Sequence, residues 1–249
     1  GAPPYHSSAM VVSRESNALR RFSVVVGVCK QTRGIGTNGK LPWRLRADMA
    51  YFKQLTRSTR DPLKRNAVIM GRKTWESIPA KFRPLDDRLN IVLTRNAAAK
   101  AELGIPDGVL VADSLEAALR LLAEEGEVGG EVESVFVIGG SSVYESALGL
   151  GATCERVMVT EIETAAPMDG AAAALPPAAG AAFECDTFFP ELGEGKFTTA
   201  SRSSARVEGG LRYEFVEYRP TAADDGAAAR RVVGVVVARH TRARRAARR

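Results

Sequence analysis

Asp48 is the acid whose place in the chain best suits acid–base chemistry. A helix is predicted to begin near Arg46, and the residues that would share a helical face with Asp48 are apolar: Leu45, Met49 and Phe52. Burial on such a face raises the pKa of a carboxyl group, which favours a role in proton transfer. The structural alternative is an acid in the first helical turn that points to water and stabilises the helix dipole. Spacing alone leaves both interpretations open.

Two segments have the order strand, glycine, helix that often binds phosphate. The first is Val68–Trp75, with Arg72 and Lys73 at its helix start, and the second is Phe136–Ala147, which contains a Gly-Gly pair. The second lacks the GxGxxG spacing of Rossmann dinucleotide sites. Each glycine alone is explained by ordinary turn chemistry. Two such segments at the carboxyl ends of parallel strands favour a nucleotide cleft between them.

Two arginines flank a further predicted strand. Arg88 precedes the strand, and its guanidinium could clamp a carboxylate with two hydrogen bonds. The structural alternative is a solvated arginine paired with Asp86 or Asp87. Arg95 follows the strand, at the edge where the two cations of the first glycine segment are expected, so three cations could meet one phosphate.

The net charge does not identify the ligand. The 249 residues carry 35 Lys+Arg against 29 Asp+Glu, a formal charge of +6, but eight arginines against two aspartates in residues 221–249 account for the whole excess. The remainder of the chain is neutral, which argues against a basic nucleic-acid-binding domain. With 45% hydrophobic and 26% charged residues the composition is globular. No apolar run reaches the roughly 18 residues of a membrane helix.

Histidine and cysteine are too sparse for several common kinds of site. The two histidines, His6 and His240, lie near the chain ends, and the three cysteines lie far apart with no CxxC motif. Histidine-based triads, metal sites and a disulfide scaffold are therefore not expected. The chemistry must use carboxylates, cations, backbone groups or a cofactor.

Strand and helix patterns alternate along the chain. The predicted strands are Phe22–Cys29, Asn66–Met70, Leu89–Leu93, Gly108–Ala112, Val135–Ile138 and Arg156–Ile162. The predicted helices are 46–57, Arg72–Ile78, Ser114–Glu124 with Asp113 or Ser114 as its cap, and Ser141–Leu148. This order predicts an α/β fold with a mostly parallel central sheet and helices on both faces. Phe197–Ser203 and Leu211–Tyr218 flank Gly209-Gly210, which predicts a C-terminal antiparallel hairpin closing the sheet edge.

The chain is predicted to contain one domain, residues 21–220, with an Ala/Pro-rich loop insertion at about residues 165–182. Residues 1–20 are predicted to be a disordered extension. The alternative is a transit peptide, because this segment contains two arginines, four serines and one acid. Residues 221–249 form a basic low-complexity tail. The expected location is the cytoplasm, or an organelle if residues 1–20 are a transit peptide.

The motifs together resemble dihydrofolate reductase over roughly Arg21–Arg219, and most closely the reductase domain of plant and protist bifunctional dihydrofolate reductase–thymidylate synthase chains. The matching segments, in order, are RGIGTNGKLPWRLRADMAYF, RNAVIMGRKTWESIPAKFRPLDDRLNIVLTR, VFVIGGSSVYESAL, VTEI, ECDTFFP and YEFVEY. The resemblance is specific because several independent motifs occur in the same order.

The resemblance implies a role for each matching residue. Asp48 matches the acid that hydrogen-bonds the pterin, and Thr160 the threonine that supports this acid. Arg88 resembles the clamp on the glutamate α-carboxylate of the substrate. Other matches surround the pterin and the aminobenzoyl ring: Val26, Gly27, Met49, Phe52, Ile78, Pro79, Leu85 and Ile138.

The implied cofactor is NADPH. The loop that closes over nicotinamide matches Val28, Ile35, Gly36 and Leu41. The adenosine and 2′-phosphate site matches Gly71, Arg72, Lys73, Thr74, Leu93, Thr94 and Arg95. The pyrophosphate-side loop matches Gly139, Gly140, Ser141, Ser142, Val143 and Tyr144. Gly27-Val28 departs from the two small residues usual at this place, so we expect the nicotinamide contacts to differ.

The implied reaction is hydride transfer from NADPH to carbon 6 of 7,8-dihydrofolate with protonation of nitrogen 5, giving 5,6,7,8-tetrahydrofolate. One alternative is a related pterin or pyrimidine reductase on the same fold, such as a riboflavin-pathway reductase. Arg88 favours folate, because a riboflavin precursor has no glutamate carboxylate.

An alternative from a different class is nucleic-acid binding through the arginine-rich tail. The tail has no aromatic side chains for base stacking, so we expect only non-specific, salt-sensitive binding. No membrane partner is expected. The resemblance to bifunctional chains makes a thymidylate synthase domain possible in a longer native chain.

Overall fold

The run of β-branched residues after Arg21 forms the central strand of the protein, β1 (Phe22–Cys29), as predicted. The computed structural model describes residues 18–96, 99–102, 104–124, 126–165 and 183–221. Its other strands are β2 (Gly34–Gly36), β3 (Arg65–Gly71), β4 (Arg88–Leu93), β5 (Leu110–Ala112), β6 (Val132–Val137), β7 (Cys154–Thr164), β8 (Thr187–Phe188), β9 (Phe197–Arg202), β10 (Arg206–Glu208) and β11 (Leu211–Pro220). The helices are α1 (Arg46–Arg57), α2 (Arg72–Ser77), α3 (Ala99–Glu102), α4 (Leu115–Ala123), α5 (Glu127–Gly130) and α6 (Ser141–Gly149), with 3₁₀ turns at Ala80–Phe82 and Gly151–Thr153.

The main sheet is mostly parallel, which confirms the predicted fold class. Its strands lie in the order β10-β11-β7-β1-β6-β3-β4-β5, and β9 also pairs with β11. The six strands from β7 to β5 in this order are parallel to their neighbours, whereas β11 runs antiparallel to β7. The carboxyl ends of the parallel strands therefore meet at one sheet edge, where ligands bind in open α/β sheets.

Helices cover both faces of this sheet, as predicted. Val24 and Val26 of β1 belong to a hydrophobic cluster with Leu119 of α4 and with residues of α6. Val25 between them points to the opposite cluster, which contains Trp75 of α2 and is packed against by side chains of α1. The alternation along one strand thus places α4 and α6 on one face and α1 and α2 on the other.

The predicted C-terminal hairpin is correct in position but wrong in its first strand. The Gly209-Gly210 turn joins β11 to β10, which the sequence pattern did not predict, and not to β9. β9 pairs with β11 farther along, with Pro220 opposite Phe197. β10 is short and mostly exposed, so it lacks the buried alternation by which a strand is recognised.

The structure adds a second sheet and decides between the two predicted caps of α4. β2 and β8 form a second, two-stranded sheet, in which Gly34 lies opposite Phe188. The cap of α4 is Ser114, whose hydroxyl accepts a hydrogen bond of 3.2 Å from the backbone N–H of Ala117. No helix among the described residues is long and apolar enough to span a membrane. Most of the predicted loop insertion, of the N-terminal extension and of the basic tail lies outside the described residues.

Candidate active site

Asp48 is buried in the side of α1 that faces the sheet. Its exposed fraction is 7%, and the other buried residue of this helix, Thr56, is also polar. Met49 next to Asp48 is 48% exposed although it is apolar. A helix packed on a closed core would bury its apolar residues and expose its polar ones. Here an acid and a threonine are buried and a methionine is exposed, so this side of α1 faces a cleft. The alternative of a solvated acid in the first turn is therefore excluded.

Thr160 holds the carboxylate from the sheet. The hydroxyl of Thr160, on β7, donates a buried hydrogen bond of 2.7 Å to Oδ1 of Asp48. Gly27 is the residue of β1 opposite Thr160. A Cβ at Gly27 would lie 3.3 Å from Oδ2 of Asp48 and 3.4 Å from a ring carbon of Trp43. A side chain at this position would crowd the acid, so Gly27 leaves space for it.

The pKa of Asp48 is raised above the usual value for aspartate. Burial is the larger effect, and the hydrogen bond from Thr160 opposes it by stabilising the charged form. The nearby tyrosines Tyr51 and Tyr144 also have raised pKa values, mainly because of burial, and the charge of Asp48 adds to both shifts. Both phenols stay neutral near pH 7. Asp48 is thus a carboxyl group that can take up a proton at a higher pH than an exposed aspartate.

The glycines after β3 and β6 lie against each other, as expected for a shared cleft. The backbone N–H of Gly71 donates a hydrogen bond of 2.7 Å to the carbonyl of Gly139. Gly139 has a φ of 118°, which requires glycine, and a Cβ there would lie 3.1 Å from the hydroxyl of Tyr144. A Cβ on Gly140 would lie 3.3 Å from Oγ1 of Thr74. The two glycine segments therefore form one narrow, backbone-lined surface.

The starts of α2 and α6 expose backbone N–H groups on this surface. Gly71 and Gly140 are the residues that precede these helices, and neither start has a side-chain cap. Val143 packs close to Gly71, since a Cβ there would be 3.1 Å from Cγ2 of Val143. Uncapped N–H groups at the start of α6 favour an anion such as a pyrophosphate.

The predicted cations follow adjacent strands at this same edge. Gly71 at the end of β3 lies opposite Leu93 of β4, so Arg72 and Thr94 begin the connections that leave the sheet side by side. Arg72 pairs with Glu76 one helical turn away, at 3.0 Å. Exposed Lys73 and Arg95 have no ion pair within 4 Å to any described residue. These cations are consequently available to an anion from solvent.

The side-chain hydroxyls of two predicted cofactor residues donate hydrogen bonds within the protein. The hydroxyl of Tyr144 donates a hydrogen bond of 2.9 Å to the carbonyl of Val25. The hydroxyl of Ser141 donates one of 2.5 Å to the carbonyl of Phe188 in β8. These residues can still present backbone groups, but their hydroxyls are not free. Ser142 is exposed.

Arg88 is buried and held in a fixed orientation. The exposed fraction of its side chain is 3%. Nε donates to the carbonyl of Asp86 at 2.9 Å, Nη2 donates to Oδ1 of Asp86 at 3.2 Å, and Nη1 donates to Oγ1 of Thr56 at 2.8 Å. A guanidinium has five N–H groups, so one remains on each terminal nitrogen. That pair matches the two oxygens of a carboxylate. Arg88 therefore pairs with Asp86, one of the two predicted partners, but it is not solvated. The other predicted partner, Asp87, pairs with Arg57.

The predicted apolar walls come together between Asp48 and Arg88. Four half-buried side chains pack along the margin of the same hydrophobic cluster: Phe52, Ile78, Leu85 and Ile138. The ring of Phe52 also lies under Arg88, with 5.9 Å from Cζ to the ring centroid. Val26 is buried in β1, whereas Pro79 is exposed. The cleft therefore has an acid at one end, apolar walls in the middle and a guanidinium at the other end.

The loop after β1 leaves the sheet at the carboxyl end of that strand, the edge at which the cleft lies. Val28 is buried, Ile35 packs against the core and Leu41 is half exposed. Gly36 lies in β2, which is anchored by β8. This loop is therefore placed where it could cover a ligand bound beside β1.

Sequence reasoning missed two residues of the cleft. Thr56 orients Arg88 and donates to the carbonyl of Phe52 at 2.8 Å. It lies one helical turn after Phe52, so a polar residue on an apolar face was the available signal. Trp43 borders Gly27, and its buried Nε1 has no hydrogen-bond partner among the described residues. Nothing in the local sequence distinguishes this tryptophan from a core residue.

Comparison with known proteins gives a consistent family. Residues 22–219 match the family model for dihydrofolate reductase. The chain is 38% identical over 203 residues to the dihydrofolate reductase of Heliothis virescens, covering 80% of this chain and 97% of that protein. It is 38% identical over 201 residues to that of Drosophila melanogaster, covering 79% and 96%.

Plant relatives are longer. The chain is 45% identical over 199 residues to the bifunctional dihydrofolate reductase-thymidylate synthase of Daucus carota, covering 80% of this chain and 34% of that protein. It thus spans about a third of the length of this relative. The family model and the insect relatives, matched over nearly their whole length, show that the chain belongs to the dihydrofolate reductase family.

Proposed function

We propose that this chain reduces 7,8-dihydrofolate to 5,6,7,8-tetrahydrofolate with NADPH, using the cleft between α1 and the carboxyl ends of the parallel strands. The observation that carries the proposal is the spacing of two buried polar residues on α1. Asp48 and Thr56, which orients Arg88, are eight residues apart, about 12 Å along the helix axis. A ligand with a hydrogen-bonding ring at one end and a carboxylate at the other fits this arrangement.

Asp48 would bind the pterin ring. An ionised carboxylate next to the ring stabilises the positive charge that the ring gains when nitrogen 5 is protonated, and the hydride then neutralises that charge. Because its pKa is raised, Asp48 takes up and releases a proton at a higher pH than an exposed aspartate does. Thr160 orients the carboxylate, and Gly27 leaves the space beside it. Proton delivery to nitrogen 5 through water is a step that such a group can assist.

Arg88 would set the register of the substrate in the cleft. Its two remaining N–H groups bind the glutamate α-carboxylate, while Phe52, Ile78 and Leu85 contact the aminobenzoyl ring. A riboflavin precursor lacks that carboxylate, so the buried guanidinium supports folate over the riboflavin-pathway alternative. Fixing both ends of the substrate holds carbon 6 in one place.

The residues at the glycine surface fit NADPH. The positions of Gly71, Gly139 and Gly140 have no room for a Cβ without close contacts, and the start of α6 offers free N–H groups to a pyrophosphate. Arg72, Lys73 and Arg95 supply positive charge for a 2′-phosphate, which favours NADPH over NADH. When bound, NADPH supplies the hydride. The protein holds the two rings together and excludes water.

The direct test is oxidation of NADPH, followed by absorbance, in the presence of dihydrofolate. We expect turnover that a diaminopyrimidine antifolate abolishes, because such an inhibitor pairs with the carboxylate of Asp48. Absence of turnover, or turnover that this inhibitor does not affect, would overturn the proposal. A chain truncated to residues 1–220 should retain the activity. Its loss on truncation would instead support a functional tail.

Two wider proposals concern the native polypeptide and its location. The two-activity name of the Daucus carota relative supports a thymidylate synthase domain in a longer native chain, which the size of the native polypeptide on an immunoblot would test. A cytoplasmic location, or an organellar one if residues 1–20 are a transit peptide, would be tested by comparing fluorescent fusions with and without these residues.

A further inference from the structure

The first turn of α1 is capped by a residue from the far end of the chain. Leu45 precedes the helix and makes no side-chain cap. Instead, the carboxylate of Glu208 accepts hydrogen bonds from the backbone N–H groups of Arg46, at 2.8 Å, and Ala47, at 3.1 Å. These are among the first N–H groups that a helix leaves unpaired. A negative charge at this position is also favoured by the helix dipole.

Glu208 is fixed by the same strands that hold Thr160. It is the last residue of β10 and lies opposite Leu211 of β11. Leu211 in turn lies opposite Thr164 of β7, the strand that carries Thr160. The ladder β10-β11-β7 therefore hydrogen-bonds to α1 at two points, through Glu208 at the helix start and through Thr160 at Asp48. Asp48 directly follows the capped N–H of Ala47, so any shift of this turn moves its carboxylate.

We propose that Glu208 is a positioning residue for Asp48, which it holds within hydrogen-bond reach of Thr160 by fixing the first turn of α1. A stacked ring contact between Tyr51 and Phe215, 4.2 Å between centroids, also joins α1 to β11. Two stacked rings can slide over each other without losing contact. A carboxylate that accepts two backbone N–H groups instead fixes the position of the helix along its axis and its rotation about that axis. The expected effect on catalysis rests on the proposed function, and the expected effect on Asp48 itself does not.

Glu133 provides a matched control near the other end of α1. Its carboxylate accepts hydrogen bonds from the N–H of Arg60, at 3.0 Å, and of Asp61, at 2.9 Å, in the connection that follows the helix. Glu133→Gln thus weakens a contact of the same chemistry, a carboxylate with two backbone N–H groups, at a distance from Asp48. Glu208→Gln and Glu133→Gln should both lower the unfolding temperature.

The test compares these two variants with the wild type in two measurements. The first is the pH titration of the Asp48 carboxyl carbon by NMR in the ligand-free protein, where Tyr51, Tyr144 and Thr160 are the neighbouring polar groups. We expect Glu208→Gln to move the titration to higher pH, because a longer hydrogen bond from Thr160 stabilises the carboxylate less.

The second measurement is steady-state kinetics. We expect kcat/KM for dihydrofolate to fall about tenfold in Glu208→Gln, as for other small misplacements of a reacting group. The KM for NADPH should be unchanged, and Glu133→Gln should change neither quantity.

A wild-type titration and wild-type kcat/KM in a destabilised Glu208→Gln protein would overturn the proposal, because Glu208 would then only stabilise the fold. Glu208→Asp, which keeps the charge on a shorter side chain, serves if the amide variant does not fold. Its titration should lie above that of the wild type, and an unshifted one would again overturn the proposal. A wild-type protein without reductase activity would overturn the proposed function, and the Asp48 titration would still decide the role of Glu208.

Discussion

Thr160 donates a 2.7 Å hydrogen bond to Asp48 across 112 residues of sequence. The two effects on the pKa of Asp48 oppose each other, since burial raises it and this hydrogen bond lowers it. The pH at which Asp48 changes charge thus depends on one contact between α1 and β7 as well as on burial, and that contact can be altered without changing the acid.

Replacing Thr160 with valine should move the pH dependence of turnover upward. Valine has the shape of threonine but cannot donate a hydrogen bond, so burial acts unopposed and the pKa of Asp48 rises further. The reaction consumes a proton, and turnover falls at high pH once the site has lost it. The descending limb of the kcat/KM profile should therefore shift to higher pH in Thr160→Val. A shift to lower pH would contradict this account.

Replacing Asp48 with asparagine should reduce turnover strongly at neutral pH. The amide keeps the shape but cannot carry the negative charge, and acid–base groups typically contribute about 10²–10⁴-fold. NADPH binding, measured by protein fluorescence, should be largely retained, because the residues proposed to bind the cofactor phosphates lie after β3, β4 and β6 and do not contact Asp48. Turnover similar to the wild type would show that Asp48 does not have the assigned role.

The same variant should be more stable than the wild type at neutral pH. The folded-state pKa of Asp48 lies above its unfolded value, so folding is penalised where the buried carboxyl is charged, above the folded pKa. The penalty disappears as pH falls from that pKa toward the unfolded value. The difference in unfolding temperature between Asp48→Asn and wild type should accordingly shrink as the pH is lowered. A constant difference at all pH values would exclude this cause.

Replacing Arg88 with lysine should raise the KM for dihydrofolate by about tenfold or more, with a smaller change in kcat. Lysine keeps the charge but loses the paired N–H groups, and hydrogen bonds to charged groups contribute about 1.5–3 kcal/mol. Dihydropteroate, which lacks the glutamate, should be used about equally well by both proteins. Arg57→Lys is the matched control, because Arg57 also contacts Asp86 but does so from an exposed position.

Replacing Arg95 with glutamine should raise the KM for NADPH about tenfold, because one hydrogen bond between charged groups contributes about 1.5–3 kcal/mol. The KM for NADH should stay constant, since that cofactor has no 2′-phosphate. Lys64→Gln, at the opposite end of β3, removes an exposed cation far from the proposed phosphate site and should alter neither value. An equal rise in the KM values for NADPH and NADH would show that Arg95 does not contact the 2′-phosphate.

Local sequence alone predicted much of the secondary structure. The bounds of β1 and α1 agree with prediction, because a run of β-branched residues and a helical apolar face are decided by neighbours within a few residues. The alternation of strands and helices implied the parallel sheet, and the glycines after β3 and β6 implied its ligand-binding edge. Asp48, Arg88 and the cations were found as candidates from residue type and position.

Tertiary structure decided which candidates act together and in what state. Burial of Asp48 and Arg88 depends on partners such as Thr160 and Thr56 that lie far away in sequence, and a carboxyl pKa depends on that burial. β10 was missed because its pairing with β11 and its contact through Glu208 with α1 are long-range and leave no local pattern. Periodicity in sequence reports which face of an element is apolar, whereas hydrogen bonds across the sheet fix what that face meets.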